Sequence, residues 1–332
     1  MTVIEEKGPI SGIGLWLGIL VLFLLFISGF WWYQVKTSGP FSTVAPEKSV
    51  APGIKHTLKV SFSNLRPLKK GHFEIWAEFK DKVVSVGRFN LDNSGTLLDL
   101  EGKEVPYSEF KSKSDLSKAD RILVSIEPEG DKDASPSGVL ILEGEIYGER
   151  ADLSFKAITL AKASGEYFLG TPSYSKDPDL PSGVWFAKPA GREFDKQDES
   201  LILGKAPEGF VYEGWVFHRG EFISVGRFKS PVGDDDFSNH SGLRRYPDYP
   251  GEDFLINEPE GLDFDFPIEL ADGESKVIIS LEPDIEGEDP TGEGPFQLQF
   301  LKADIPEGAD VYTLYKLDLD LSGLPTGTVE VK

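Results

Sequence analysis

One long apolar run and a series of short alternating runs divide the chain into two kinds of segment. No charged residue occurs between Gly8 and Val35, and residues 15–27 are almost entirely aliphatic or aromatic. A helix needs about 20 apolar residues to cross the hydrocarbon layer of a bilayer. Two tryptophans and a tyrosine at positions 31–33 end the run, and such rings favour the headgroup level. We therefore expect a single transmembrane helix over residues 10–35, which makes the membrane a partner of this segment.

The flanks of this run have simple expected roles. Residues 1–9 form a short cytoplasmic tail, and residues 36–54, rich in Pro, Gly, Ser and Thr, form a flexible linker. The alternative is a cleaved signal peptide, whose apolar region is shorter and ends in small residues. Gly14 and Gly18 form a GxxxG pair, a pattern that lets two membrane helices approach closely. A homodimer through this pair is a further hypothesis.

Beyond the linker the pattern is that of an all-β protein. Short runs rich in Val, Ile, Phe and Trp alternate with Gly, Pro, Asn and Asp turns, which is typical of strands. No long helical period occurs after residue 36, apart from a helical turn expected near Ser114–Lys118. In the first half the predicted strands are His56–Phe62, Phe73–Phe79, Val83–Phe89, Ile122–Ile126, Val139–Leu142 and Ala151–Ile158.

Two ordered blocks of sequence occur twice. FEIWAEFKDKVVSVGRF begins at Phe73, and YEGWVFHRGEFISVGRF begins at Tyr212, an offset of 139 residues. RILVSIEP begins at Arg121, and KVIISLEP begins at Lys276, an offset of 155, so the second copy holds 16 extra residues. A fixed order of matching blocks indicates a duplicated domain. We predict two tandem Ig-like β-sandwich domains behind the transmembrane helix: the first over residues 55–160, the second over 161–332 with an inserted loop at 231–261.

The residues that recur have physical interpretations as structural groups. Each Trp shares its strand with an aromatic residue, Phe73 or Tyr212, and fits a core position in a hairpin. A glycine inside a strand indicates a bulge or a close backbone approach. A glutamate beside a proline fits a hydrogen bond to a turn, and Arg88 with Glu74, or Arg227 with Glu213, fits an ion pair across adjacent strands. The predicted structural residues are Glu74, Trp76, Gly87, Arg88, Glu127, Glu213, Trp215, Gly226, Arg227 and Glu282.

Together these motifs resemble the extracytoplasmic domain of anti-sigma-K factor proteins and related bacterial envelope proteins. That family's pattern is a Tyr-Glu-hydrophobic-Trp hairpin, a Gly-x-Phe strand, a Glu-Pro strand end and a closing Pro-Thr-Gly. The resemblance implies an extracytoplasmic β-sandwich and places residues 37–332 outside the cytoplasm, in the periplasm or extracellular space. About nine residues precede the apolar run, too few for a sigma-binding domain, so we do not expect this chain to sequester a sigma factor. The matching positions are Phe73, Glu74, Trp76, Gly87, Phe89, Ser125, Glu127, Pro128, Pro136 and Gly138 in the first copy, and Tyr212, Glu213, Trp215, Gly226, Phe228, Ser280, Glu282, Pro283, Pro290, Thr291 and Gly292 in the second.

Charge is distributed unevenly between the two copies. The chain has 332 residues and a formal net charge of −22, but residues 37–160 hold 17 basic and 19 acidic side chains, whereas residues 161–332 hold 15 and 35. Nucleic-acid binding needs clustered Lys and Arg, so we expect no nucleic-acid partner. The chain has no cysteine, which excludes disulfides, thiol nucleophiles and thiolate metal sites.

The sequence offers little that is typical of a catalytic or metal site. Its four histidines lie at no metal-binding spacing, and it contains neither a G-x-S-x-G elbow nor a phosphate loop. The recurring carboxylates could form a general acid/base pair, but their place beside core residues favours a structural role. We therefore predict no catalytic residue, no cofactor and no metal, with Asp234 and Asp236, or residues 284–293, as weak Ca²⁺ candidates because oxygen ligands alternate there.

The inserted loop is the most distinctive predicted surface. Aromatic residues, prolines and charges interleave in it, and long loops on a rigid scaffold often carry binding residues. The alternative is a loop that packs its own aromatics on the domain. The predicted function is a membrane-anchored, extracytoplasmic, non-catalytic binding protein, for example a subunit of an envelope assembly, with an anti-sigma-like signalling protein acting through a partner, or an envelope hydrolase, as alternatives. The candidate partner-binding residues are Arg244, Arg245, Tyr246, Tyr249 and Phe254.

Overall fold

The computed structural model describes most of the chain beyond the predicted linker. The predicted tail, transmembrane helix, linker and Gly14/Gly18 pair all lie outside the described residues. Within the described part, no helix is long and apolar enough to cross a membrane. The described residues are 55–156, 160–174, 176–190, 193–242, 248–287, 289–290, 292 and 294–332.

The described residues confirm the all-β prediction. They form antiparallel strands and three short 3₁₀ turns at Pro106–Ser108, Leu116–Lys118 and Leu160–Lys162. The second turn lies in the predicted helical segment, where the Asp115 carboxylate accepts from Ser117 N at 3.2 Å. The strands are β1 Thr57–Ser63, β2 His72–Phe79, β3 Lys82–Leu91, β4 Leu97–Leu98, β5 Glu109–Lys111, β6 Arg121–Glu127, β7 Leu140–Glu145, β8 Arg150–Ser154, β9 Ser164–Leu169, β10 Gly183–Trp185, β11 Ala187–Ala190, β12 Glu193–Glu199, β13 Leu201–Ile202, β14 Phe210–His218, β15 Glu221–Phe228, β16 Gly251–Asp253, β17 Lys276–Pro283, β18 Leu298–Asp304, β19 Tyr315–Leu319 and β20 Thr326–Val331.

The first large sheet has the order β4–β3–β2–β6–β7–β8–β20–β1–β5. It curls strongly, because β3 and β5 lie far apart in this order yet contact each other. A Cβ atom added to Gly87 on β3 would lie 2.1 Å from Cδ1 of Phe110 on β5, and the Phe89 and Phe110 ring centroids are 6.0 Å apart. One curled sheet therefore encloses the core of this half.

The second large sheet has the order β15–β14–β17–β18–β19–β9–β10–β16, with β13 paired to β9, and β11–β12 form a separate ribbon. Its end strands also approach each other, since the Asp235 carboxylate lies against Gly226 of β15 and accepts from Gly251 N of β16 at 2.8 Å. Both large sheets therefore curl, and bulges, which increase local twist, occur in their central hairpins.

The C-terminal strand crosses the predicted domain boundary. β20 lies between β1 and β8 of the first sheet, with Val331 opposite Leu58 and Thr326 opposite Ser154. Its alternating burial, with Gly327, Val329 and Val331 facing inward, suits a strand with one face on the core. The sheet formed by the predicted first domain therefore also contains residues from the end of the chain, which the boundary at residue 160 omits.

A continuous apolar core links residues of both large sheets. Phe73 and Phe62 each stack on Phe89 in the first sheet, with centroids 5.3 and 5.2 Å apart. Phe155 then meets Phe210 edge-on at 5.5 Å, which joins the first half to the second. The seam is also closed by main-chain contacts such as Lys69 N to Pro290 O at 2.8 Å.

Candidate functional site

The two recurring hairpins have the same strand register. In β2–β3, Glu74 lies opposite Arg88 and Trp76 opposite Ser85, with a bulge between Ile75 and Trp76. In β14–β15, the pairs are Glu213 with Arg227 and Trp215 with Ser224, with a bulge at the equivalent place, between Gly214 and Trp215. The residues that recur in the sequence therefore occupy equivalent positions in the two hairpins.

A buried glutamate binds an arginine and a serine in each hairpin. Arg88 Nε lies 2.9 Å from Glu74 Oε2, and Ser85 Oγ donates to the other carboxylate oxygen. Arg88 also donates through Nη1 to Asp131 O at 2.9 Å. The ion pair predicted from the sequence is therefore present in this hairpin.

The second hairpin contains the same glutamate network. Arg227 Nε donates to Glu213 Oε2 at 2.9 Å, and Ser224 Oγ donates to Glu213 Oε1 at 2.6 Å. Both oxygens of the carboxylate are thus engaged within the hairpin, as those of Glu74 are. Each network ties two adjacent strands together next to the bulge.

A second polar network joins the tryptophan to the strand that ends in Glu-Pro. In the first half, Trp76 Nε1 donates to Ser125 Oγ at 2.8 Å, and that hydroxyl donates to Glu127. Ser137 N closes the network by donating to Glu127 Oε1 at 2.9 Å. The carboxylate therefore fixes the return of the loop that follows β6.

The equivalent tryptophan network in the second half uses the matching atoms. Trp215 Nε1 donates to Ser280 Oγ at 3.0 Å, Ser280 donates to Glu282, and Phe296 N donates to Glu282 Oε1 at 2.9 Å. Because an unpaired buried carboxylate or indole N–H is costly, these networks account for the presence of polar groups in an apolar core.

Burial and hydrogen bonding set the pKa values of these carboxyl groups. Burial raises the pKa of Glu282 to about 8, and it also raises the pKa of Glu127 and of Glu213 despite their hydrogen bonds. At Glu74 burial acts in the same direction, but His72, Ser85 and Arg88 together outweigh it and leave the pKa lowered. Raised carboxyl pKa values occur at catalytic sites as well as in structural networks, so they do not decide the function alone.

A third network of buried acids was not predicted from the sequence. Trp185 Nε1 donates to Asp253 Oδ1 at 2.7 Å, and Ser173 Oγ donates to Asp253 Oδ2 at 2.5 Å. The neighbouring Glu252 accepts from Ser241 Oγ. Burial raises the pKa of Glu252 to about 8 and that of Asp253 to about 7. These residues do not recur in the first copy, and only the pairing of β16 with β10 brings them to Trp185.

The inserted segment packs part of itself into the core. Phe254 is fully buried, its ring 5.7 Å from that of Phe266, and its N–H donates to Ser182 O at 2.9 Å. Tyr249 packs against the small apolar cluster that contains Trp185. Phe254 is therefore a core residue and cannot contact a partner from this position, which corrects that part of the sequence interpretation. Arg244, Arg245 and Tyr246 lie outside the described residues.

The acidic loop proposed as a weak Ca²⁺ site uses its carboxylates for turns. Asp236 Oδ1 accepts from Arg227 N at 2.8 Å, and Asp235 Oδ1 accepts from Phe237 N at 2.9 Å, whereas Asp234 is exposed. In the described part of the chain, no three His, Asp or Glu side chains converge in a way that could hold a metal ion. Of residues 284–293, three lie outside that part.

No family model, no curated protein and no solved structure matches this chain. The resemblance to the anti-sigma-K domain consequently rests on the motif residues named above. The geometry adds that both copies of those residues form hydrogen-bonded networks inside the fold.

Proposed function

We propose that this protein is a membrane-anchored, non-catalytic binding protein whose β domains lie outside the cytoplasm. The uncharged apolar segment at residues 10–35 supports the anchor, and the motif resemblance supports the location and an Ig-like, anti-sigma-K type of β-sandwich for each half. The proposal does not require sigma-factor binding by this chain.

The internal engagement of the recurring carboxylates is the observation that carries this proposal. A general acid or base must reach a substrate within hydrogen-bond distance. Glu74, Glu127, Glu213 and Glu282 are at most 4% exposed, and each accepts hydrogen bonds from groups within its own half. Glu74 and Glu213 support the two hairpins, and Glu127 and Glu282 fix the segments that return after β6 and β17. These structural roles favour recognition by other surfaces over catalysis at these residues.

The partner-binding surface that we propose is the charged part of the inserted segment. Deleting residues 231–261 would also remove β16 and Phe254, so loss of binding after that deletion could reflect loss of folding. A triple substitution, Arg244→Ala, Arg245→Ala and Tyr246→Ala, leaves the β16 strand and the buried ring in place.

The test is capture of partners by the tagged full-length chain in mild detergent after crosslinking. We expect a discrete crosslinked partner with the unsubstituted chain and its loss with the triple variant. A matched control changes two exposed lysines and an exposed tyrosine in the first half, Lys80→Ala, Lys82→Ala and Tyr107→Ala, and should retain the partner. Recovery of only a lone monomer from the unsubstituted chain would contradict the proposal.

A further inference from the structure

A cleft of about 870 Å³ lies along the seam between the two halves. Its first wall is the segment that follows β1, with Arg66 and Lys69, and its second wall comes from the start of β15 and the approach to β18, with Phe222 and Gln297. The volume falls within the range of small-molecule sites, which run from about 300 to 1,000 Å³. Of the network residues described above, Phe296, whose N–H donates to Glu282, also lines this cleft, whereas the recurring glutamates do not.

Gln297 presents an unpaired donor in this cleft. The side chain is only 5% exposed, and its Oε1 accepts from Arg66 N at 2.5 Å. This bond fixes the orientation of the amide, because a backbone N–H can only donate. Nε2 is then a buried N–H donor with no partner among the described residues. A buried donor is costly to leave unpaired, so this atom calls for an acceptor other than the described residues, and a ligand in the cleft could supply one.

Two cations line the same cleft without an ion-pair partner in the described part of the chain. Arg66 and Lys69 are both exposed. They remain without a carboxylate partner even though the second half of the chain is rich in Asp and Glu. The Lys69 side chain passes over Gly292, where an added Cβ atom would lie 2.9 Å from the lysine Nζ. Among the described residues of the lining, Glu221 is the one carboxylate. The two side chains and Gln297 Nε2 together supply donors suited to an anionic oxygen.

The remaining lining suits a ring that carries hydroxyl groups. Phe222 is half-buried, with its ring 5.0 Å from that of Phe217, and it forms an apolar wall. The amides of Asn93 and Gln299 also line the cleft. An amide both donates and accepts, which matches the demands of a hydroxyl group.

We propose that this cleft binds an acidic sugar, whose carboxylate contacts Arg66, Lys69 and Gln297 Nε2 and whose ring lies against Phe222. The proposal extends the binding function to a small ligand and uses a surface separate from the inserted segment. Loss of partner capture by the triple variant and loss of sugar binding by cleft variants are therefore independent results.

The test compares ligands that share one ring and differ in one group. Binding of glucuronate, glucose, glucose 1-phosphate and tetraglutamate to the full-length chain in mild detergent is measured by calorimetry and saturation-transfer NMR. We expect glucuronate to bind at least about tenfold more tightly than glucose, since a charged hydrogen bond is worth about that factor or more. Equal binding of glucuronate and glucose, or binding of glucose 1-phosphate or tetraglutamate alone, would overturn the proposal.

Substitutions then locate the site. Gln297→Glu keeps the acceptor for Arg66 N and removes the donor, and Lys69→Gln removes one cation; each should weaken glucuronate binding about tenfold or more. Lys70→Gln changes the adjacent exposed lysine, which does not line the cleft, and should leave binding unchanged. If Gln297→Glu disturbs folding, the matched Lys69→Gln and Lys70→Gln variants still test whether glucuronate binds in this cleft. Equal effects at these two positions would overturn the proposal.

Discussion

The two hairpin networks use the same residue types in the same strand register, yet the pKa values of their glutamates shift in opposite directions. The pKa of Glu74 is lowered, whereas burial raises the pKa of Glu213. Two neighbours differ: Asp236 lies near Glu213 and raises its pKa, whereas His72 lies near Glu74 and lowers its pKa. His72 Nε2 lies 3.6 Å from Glu74 Oε2, and the position equivalent to His72 in the second copy is Val211. The comparison teaches that hydrogen-bond geometry can recur while neighbouring charged and hydrogen-bonding groups change the direction of the pKa shift.

Among substitutions compared at one pH, the largest expected effect comes from removing the arginine of each network. Arg227→Met should destabilise the protein by about 3 kcal/mol at pH 8, at the low end for broken buried pairs because the guanidinium is partly exposed. Arg88→Met should cost less, because His72 remains beside Glu74. Urea unfolding of the full-length chain measures both. A larger loss of unfolding free energy for Arg88→Met than for Arg227→Met would contradict the role given to His72.

The next effect is the pH dependence of stability. A carboxyl group whose pKa is raised on folding favours the folded state below its unfolded pKa, and this stabilisation is lost as the pH rises through the folded pKa. For Glu282 the pKa rises from 4.5 to about 8, so its contribution should fall between these pH values, by up to about 1.4 kcal/mol per pH unit. Glu74, with a lowered pKa, should act oppositely and lose its contribution as the pH falls below about 4.5.

Glu282→Gln separates these two contributions. The variant should lose the share of the decline in unfolding free energy between pH 5 and pH 8 that Glu282 contributes, while the raised pKa values of Glu252 and Asp253 keep the rest. Glu74→Gln should leave the whole decline intact. Unfolding midpoints measured across this range check the prediction. An unchanged slope in Glu282→Gln would show that burial does not hold this carboxyl group neutral.

The recurring glycines should differ in why they are required. Gly87 has no room for a Cβ atom because Phe110 occupies the space, whereas Gly226 adopts φ of +125° and also lies against Asp235. In a Phe110→Ala background, Gly87→Ala should lower the unfolding free energy little, because the phenyl ring that would clash with the new Cβ atom is absent. Gly226→Ala should still cost about 1–3 kcal/mol in an Asp235→Ala background, because the backbone conformation remains strained. Equal rescue in both pairs, measured by double-mutant unfolding, would contradict this account.

The smallest expected effect comes from exchanging the residues that differ. Val211→His should lower the pKa of Glu213, and His72→Val should raise that of Glu74, with stability changes of about 1 kcal/mol. Carboxyl ¹³C chemical shifts followed against pH report each titration. If neither carboxyl shifts its pKa, the adjacent residue is not the cause of the difference.

The sequence predicted the parts of this molecule that depend on local pattern. Short alternating runs fixed the strands around Trp76 and Trp215, and the recurrence of Glu74 with Arg88 indicated the ion pair that joins β2 and β3. The bulges followed from glycine inside a strand, because such glycines relieve a close approach. These features need only the neighbouring strand to form.

Long-range contacts were not predictable in the same way. β20 returns to the first sheet, and nothing in TGTVEV specifies which edge it joins. The Asp253 to Trp185 bond links residues 68 positions apart and does not recur, so no repeat indicated it. Phe254 was interpreted as a contact residue because aromatic residues in long loops often bind partners, but burial of its ring against Phe266 took precedence.

The most direct test of the central claim is a double substitution, Glu74→Gln with Glu127→Gln, assayed for stability and glucuronate binding on the same preparation. Both side chains accept hydrogen bonds inside the first half, and neither these carboxylates nor their donors line the seam cleft. We predict a changed unfolding free energy with the dissociation constant of glucuronate altered less than about twofold, which is under 0.5 kcal/mol. Unchanged stability together with lost binding, or with loss of a catalytic turnover, would contradict the account.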